Sequence, residues 1–114
     1  MARLSDLEKL EDGWDGPGSK AIPTRVFAAY ANLLAEFPGR APTDLEPMAG
    51  SNGSIHLEWD RGAESFFADI QPDGGLYVCH LAISEGDDSD NTYSEFDAPT
   101  LKAFYDTGRI EAAE

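Results

Sequence analysis

Hydrophobic and polar residues alternate along two consecutive stretches in the middle of the chain. The apolar positions are Ile55, Leu57 and Trp59 in the first stretch and Phe66, Ala68 and Ile70 in the second. This period of two predicts two β-strands, each with one buried face. When the apolar sets are paired, Gly62 and Ala63 form a two-residue loop, and a glycine at its first position suits a type II′ turn.

The same pairing brings polar side chains together on the other face. His56 is then opposite Asp69, and Glu58 is opposite Phe67. His56, Glu58 and Asp69 are within reach of a zinc ion or a hard cation, but a solvated strand face with one His–Asp pair accounts better for the same pattern. We therefore expect no metal site and no cofactor. These three residues are secondary candidates for contact with a partner.

The turn from Gln71 to Gly74 decides which way the third strand, residues 76–82, faces. A type I turn with Gly74 in the left-handed conformation adds a bulge and turns inward the even-numbered residues from Leu76 to His80. A two-residue loop would instead turn inward the odd-numbered residues from Tyr77 to Leu81, since a slip of one residue exchanges the faces. The bulge is favoured because the shorter loop requires a hydrogen bond from the nitrogen of Pro72, which has no hydrogen to donate.

Apolar spacings of three and four residues predict three helices. The longest, roughly Pro23 to Glu36, should lie across the core face of the sheet and bury Trp59. A short helix covers residues 4–10. The last helix opens at Asp97, a plausible N-cap, and ends at Gly108.

The remaining segments complete a prediction of one domain over residues 1–114. Residues 40–52 form a loop, Thr92 to Phe96 a fourth strand at the sheet edge, and residues 109–114 a frayed tail. The fold class is α+β, a three- to four-stranded antiparallel sheet with helices packed on one face. The predicted order of elements is α-α-β-β-β-(β)-α.

Charge narrows the classes of partner. Twenty-two acids against eight bases give a net charge of −14, while 41% hydrophobic residues are enough for a real core. This charge opposes direct binding to nucleic acid or to an anionic membrane and favours basic partners. Solubility alone is the other explanation. Cys79 is the only cysteine, and no signal peptide or long apolar run is present, so we expect a cytoplasmic protein without an internal disulfide.

No catalytic signature stands out. Cys79 and His80 are adjacent in sequence, but successive strand residues point to opposite faces, so a packed thiol is favoured over a nucleophile. The stretch from Asp88 to Thr92 has a calcium-binding rhythm, yet it lacks the mid-loop glycine and has Pro99 in place of the bidentate glutamate. We expect no catalytic residue and no enzymatic activity.

The acidic segment, residues 85–97, is the predicted partner-binding surface. It holds six acids and no base, and aromatic residues lie among the acids as interface anchors do inside a charged rim. Its candidate residues are Glu85, Asp87, Asp88, Asp90, Tyr93, Glu95, Phe96 and Asp97. Trp14 and Asp15, in the glycine-rich loop near the N-terminus, are further secondary candidates.

Several short motifs resemble those of a group of small, largely uncharacterised bacterial and phage-borne proteins. The matching features are Gly13-Trp14-Asp15-Gly16, a helix opened by Pro23, Pro47, Gly53-Ser54-Ile55-His56-Leu57-Glu58-Trp59 and Asp73-Gly74. The resemblance covers about residues 4–82 and implies no catalytic residue. In size and charge the chain is also similar to the anti-CRISPR inhibitors of phages.

These observations lead to one expected function and two alternatives. We expect a protein of phage or mobile-element origin that inhibits a basic nucleic-acid-binding protein or ribonucleoprotein of the bacterial host by occupying its nucleic-acid groove. It would contact neither nucleic acid nor membrane directly. The first alternative is an immunity or antitoxin protein that neutralises a basic toxin or nuclease. The second is a small hydrolase or metal-dependent enzyme that uses the outward strand face.

Overall fold

Two helices and one antiparallel sheet make up the fold in this computed structural model, which describes residues 7–39, 42, 44–81 and 88–110. In chain order the elements are α1 (Thr24–Ala35), β1 (Met48–Ala49), β2 (Ile55–Arg61), β3 (Glu64–Ile70), β4 (Leu76–Leu81), β5 (Ser89–Tyr93) and α2 (Ala98–Thr107). The five strands lie side by side in sequence order. The α+β class is therefore confirmed.

The prediction of three to four strands was wrong, because the sheet has five. The additional strand, β1, has two residues and lies in the region predicted as a loop; Met48 pairs with His56 of β2. Two residues are too few to show a period of two, so the alternation could not indicate this strand.

The edge strand was predicted about three residues too late. It runs from Ser89 to Tyr93, whereas the prediction placed it at Thr92 to Phe96. Phe96 is not in the strand; its N–H donates to the carbonyl oxygen of Gly74 at 2.7 Å, and its side chain packs against the core.

Both hairpins have the predicted register. In the first, His56 pairs with Asp69, and Gly62 has a φ of 63° while Ala63 has a negative φ, as a type II′ turn requires. In the second, the N–H of Gly74 donates to Gln71 at 3.1 Å, and Gly74 has a φ of 96°. This turn with its bulge sets Val78 opposite Ala68 on the core face.

One hydrophobic cluster joins the inward face of the sheet to both helices. α1 contributes Val26, Tyr30 and Leu33, and α2 contributes Leu101 and Phe104. The cluster also contains the inward residues of β2, β3 and β4, which are Ile55, Leu57, Trp59, Phe66, Ala68, Ile70, Leu76 and Val78. Both helices therefore cover the same face.

Trp59 is buried as predicted, with 3% of its surface exposed, and aromatic side chains of α2 lie against it. Its ring lies 5.5 Å from Phe104 and 5.2 Å from Tyr105, which both belong to α2 rather than α1. It also stacks on Phe66 at 6.0 Å. Its indole N–H is buried and has no hydrogen-bond partner among the described residues.

The helix ends agree with the sequence. α1 starts directly after Pro23, and the Asp97 carboxylate accepts a hydrogen bond from the N–H of Thr100 at 3.1 Å to cap α2. Gly108, with a φ of 71°, ends α2. At the chain ends, only residues 7–10 of the predicted first helix and residues 109–110 of the predicted tail lie within the described part; Leu7 is buried, and Ile110 packs against the core.

Candidate functional site

The second face of the sheet is not covered by either helix. Side chains of alternate strand residues point away from the core, and the antiparallel register aligns them in rows across the strands. None of them is buried, whereas their inward neighbours on β2 and β3 fill the core. This outward sheet face consists of Met48, His56, Glu58, Asp60, Ser65, Phe67, Asp69, Tyr77, Cys79, Leu81, Asp90 and Thr92.

Acidic side chains dominate the charge of the outward sheet face. Its carboxylates are those of Glu58, Asp60, Asp69 and Asp90, and its members include no lysine or arginine. Two basic side chains of the described residues instead form ion pairs with acidic side chains away from this face. Arg61 pairs with Asp44 at 3.0 Å, and Lys102 of α2 pairs with Asp106 at 2.5 Å.

His56, Asp69 and Glu58 form a compact ionic cluster on this face. Nδ1 of His56 lies 2.5 Å from Oδ1 of Asp69, and Nε2 lies 2.8 Å from Oε1 of Glu58. Both ring nitrogens donate to carboxylates when the imidazole is protonated. Desolvation disfavours the protonated imidazole of His56. The hydrogen bonds and the electrostatic attraction of Asp69 and Glu58 outweigh this effect and raise the pKa of His56. The ring also stacks on Phe67 at 5.8 Å.

This geometry places both ring nitrogens of His56 in ion pairs. A general base or a metal ligand needs a ring nitrogen with a free lone pair, and each nitrogen of His56 already faces a carboxylate. His80 lies on the inward side, as the register predicts, with Nε2 2.6 Å from Oε1 of Glu64. Within the described ranges, no group of three or more histidine, cysteine or acidic residues is arranged to hold a metal ion.

The ionic cluster predicts a pH dependence of stability. The pKa of His56 is higher in the folded state than its unfolded value of about 6.5, so the folded state binds this proton more tightly. The stabilisation is fully present below about pH 6.5 and is lost as the pH rises through the folded-state pKa. An NMR titration should give His56 a pKa above the ordinary value, and Asp69→Asn should lower it. A His56 pKa at or below about 6.5 would contradict this geometry.

Apolar side chains lie between the carboxylates. Among the described residues, the exposed large hydrophobic side chains are Met48 and Leu81, each 38% exposed, and both belong to the outward sheet face. Phe67, Tyr77 and Cys79 are partly exposed between them. Exposed apolar residues gathered on one face are typical of a contact surface, whereas single scattered ones need no explanation.

Tyr77 joins the apolar and the acidic parts of this face. Its hydroxyl donates to Oδ2 of Asp90 at 3.0 Å, which ties β4 to the edge strand β5. Desolvation raises the pKa of Tyr77, and the neighbouring Asp90 and Cys79 raise it further. The phenol is therefore a stable hydrogen-bond donor at neutral pH.

The structure divides the acidic segment into two parts. Asp90 is exposed on the outward sheet face, and Asp88 is exposed one residue before β5 begins. Tyr93 and Phe96 instead pack against the core, and Asp97 caps α2, so these three have structural roles. Glu95 is exposed between the two aromatic residues. Glu85 and Asp87 lie outside the described residues.

Trp14 and Asp15 belong to a loop that is built around Ser19. The buried hydroxyl of Ser19 accepts from the N–H of Asp15 at 2.9 Å and donates to the carbonyl oxygen of Gly16 at 2.7 Å. The indole N–H of Trp14 donates to the carbonyl oxygen of Lys20 at 2.8 Å. Trp14 therefore holds the loop together, while the Asp15 side chain is exposed.

The loop motif at residues 13–16 and the strand motif at residues 53–59 are joined through residues that flank them. The N–H of Lys20, after the first motif, donates to the carbonyl oxygen of Ser51 at 2.7 Å, just before the second. Gly53 is buried with a φ of 91°, and a methyl group there would lie 2.9 Å from the carbonyl oxygen of Ala21. Gly53 therefore allows the backbones of the two segments to approach closely.

Comparisons with protein-family models, with curated proteins and with solved structures find no match to this chain. Within the described ranges, no helix combines the length and the apolar character needed to cross a membrane. Function is therefore inferred from the outward sheet face itself. Sequence reasoning named four members of this face as candidates, which are His56, Glu58, Asp69 and Asp90. It did not name the polar Asp60, Ser65 and Thr92 or the apolar Met48, Phe67, Tyr77 and Leu81, although the outward positions of the same alternation could have indicated the last three.

Proposed function

We propose that the protein is a small acidic inhibitor that occupies the nucleic-acid groove of a basic protein or ribonucleoprotein of its bacterial host. The binding surface is the outward sheet face together with Asp88. Carboxylates spaced across the sheet take the place of phosphates against the lysine and arginine side chains of such a groove.

One observation carries the proposal: charge and apolar surface coincide on a face that neither of the two described helices covers. The four carboxylates face solvent on the same side as Met48 and Leu81, and no lysine or arginine belongs to this face. Solubility alone requires dispersed charge and disfavours apolar surface. An interface with a basic partner requires an apolar centre with charged groups around it.

A pair of nearly isosteric substitutions that removes two negative charges tests the proposal. Asp88→Asn with Asp90→Asn should leave folding nearly unchanged, because both side chains are exposed and asparagine retains an acceptor for Tyr77. Binding to a partner captured from host lysate should weaken, association should slow, and the dependence on salt should flatten. The captured partner should also release its nucleic acid when the parent protein is added.

A matched control distinguishes the effect of where the two charges lie from the effect of the total charge of the protein. Glu8→Gln with Glu11→Gln removes the same two charges at exposed positions outside the sheet, and it should leave affinity and association rate close to the parent values. Equal weakening by both pairs, or a partner that binds nucleic acid and this protein simultaneously, would contradict the proposal. A captured nuclease that is toxic to its own host would instead indicate the immunity function.

A further inference from the structure

The central row of the outward sheet face has an unusual composition. The strand register aligns Glu58 of β2, Phe67 of β3, Cys79 of β4 and Asp90 of β5 across the sheet. An aromatic ring and a thiol thus lie between two carboxylates, and adjacent strands are about 4.8 Å apart. Tyr77 is bonded to the Asp90 carboxylate at the β5 end of the row.

The chemistry of this row excludes several kinds of occupant. A second copy of this chain would bring its own four carboxylates against these four, and such juxtaposition of like charges is unfavourable. Nucleic acid and anionic lipid are opposed for the same reason. An entirely apolar helix would bury Asp90 without a cationic partner and Glu58 with His56 as its only one among the described residues, which is costly.

We propose that this row binds an arginine-rich element of the partner, with guanidinium groups lying against Phe67 and Tyr77 and pairing with Glu58 and Asp90. This inference rests on the proposed function and names the chemistry that the partner presents. A guanidinium is planar, stacks on aromatic rings and pairs with carboxylates through two hydrogen bonds, whereas an ammonium does neither as well. The partly exposed rings therefore select arginine over lysine.

Labelled nona-arginine and nona-lysine peptides provide the test, with fluorescence anisotropy at moderate salt as the measurement. The parent should bind nona-arginine at least about threefold more tightly than nona-lysine. This ratio corresponds to the free energy of one or two exposed cation–π contacts. Phe67→Leu retains apolar volume without the ring, and it should weaken nona-arginine binding more than nona-lysine binding. Asp90→Asn should weaken the binding of both peptides.

The outcomes distinguish arginine selection from binding at the outward sheet face. Equal affinity of the parent for both peptides, or an equal loss for both in Phe67→Leu, would overturn arginine selection while leaving the acidic surface intact. Binding that is unaffected by Asp90→Asn and by Phe67→Leu would place the cationic peptides elsewhere and overturn the outward sheet face as the binding surface. If melting shows that Phe67→Leu is not folded, Tyr77→Leu repeats the comparison at the other ring.

Discussion

Replacing Trp59 by alanine is expected to lower the free energy of unfolding by about 3–5 kcal/mol, the usual cost of truncating a large aromatic side chain in a core. Trp59 is 3% exposed and lies against Phe66, Phe104 and Tyr105. Its removal therefore leaves a cavity between the sheet and α2. Denaturant unfolding of the parent and the variant measures the change, and a loss below about 1 kcal/mol would contradict this packing.

Trp59→Phe is the informative companion variant. The buried indole N–H has no hydrogen-bond partner among the described residues, and an unsatisfied buried donor costs about 1–3 kcal/mol. Phenylalanine removes this donor and keeps a ring against Phe104, so the loss of stability should be about 1 kcal/mol or less. A loss as large as that of Trp59→Ala would mean that the indole N–H makes a valuable hydrogen bond.

Gly53→Ala is expected to destabilise the protein by about 2–4 kcal/mol, since backbone strain and a steric clash add together. The φ of 91° at Gly53 is unfavourable for any residue with a side chain. The new methyl group would also lie 2.9 Å from the carbonyl oxygen of Ala21, which belongs to the backbone and cannot simply rotate away. Thermal or denaturant unfolding measures the loss.

Gly18→Ala is a close control for this substitution. Gly18 has a φ of 90°, but a methyl group there would meet nothing within 4 Å. Its cost should be the strain alone, about 1–2 kcal/mol. If Gly18→Ala and Gly53→Ala cost the same, the contact between Gly53 and Ala21 does not contribute, and the two motifs are not joined as described.

The hairpins could be predicted from the sequence because their information is local. Alternation specifies the buried face, and the turn residues Gly62, Pro72 and Gly74 specify the register. Elements that depend on contacts between distant parts of the chain were harder to predict. β1 is a strand only because Met48 pairs with His56, and Phe96 leaves the strand because Gly74 accepts its N–H.

The charge of the acidic segment can be read from the sequence, but the directions of its side chains cannot. The acidic segment was expected to bind as one surface, yet Asp97 caps α2 while Asp90 faces outward from β5. Which residues of a short polar strand face outward depends on its pairing with β4, and its own sequence has no apolar alternation to reveal this.

The central claim is that a cationic partner binds at the outward sheet face. Methyl NMR during a titration with nona-arginine tests it most directly. The outward sheet face carries methyl groups at Met48 and Leu81, and the exposed side of α1 carries them at Ala28 and Ala31. We expect the resonances of Met48 and Leu81 to shift with saturation while those of Ala28 and Ala31 stay unchanged. Shifts at the two alanines without shifts at Met48 and Leu81 would contradict binding at the outward sheet face.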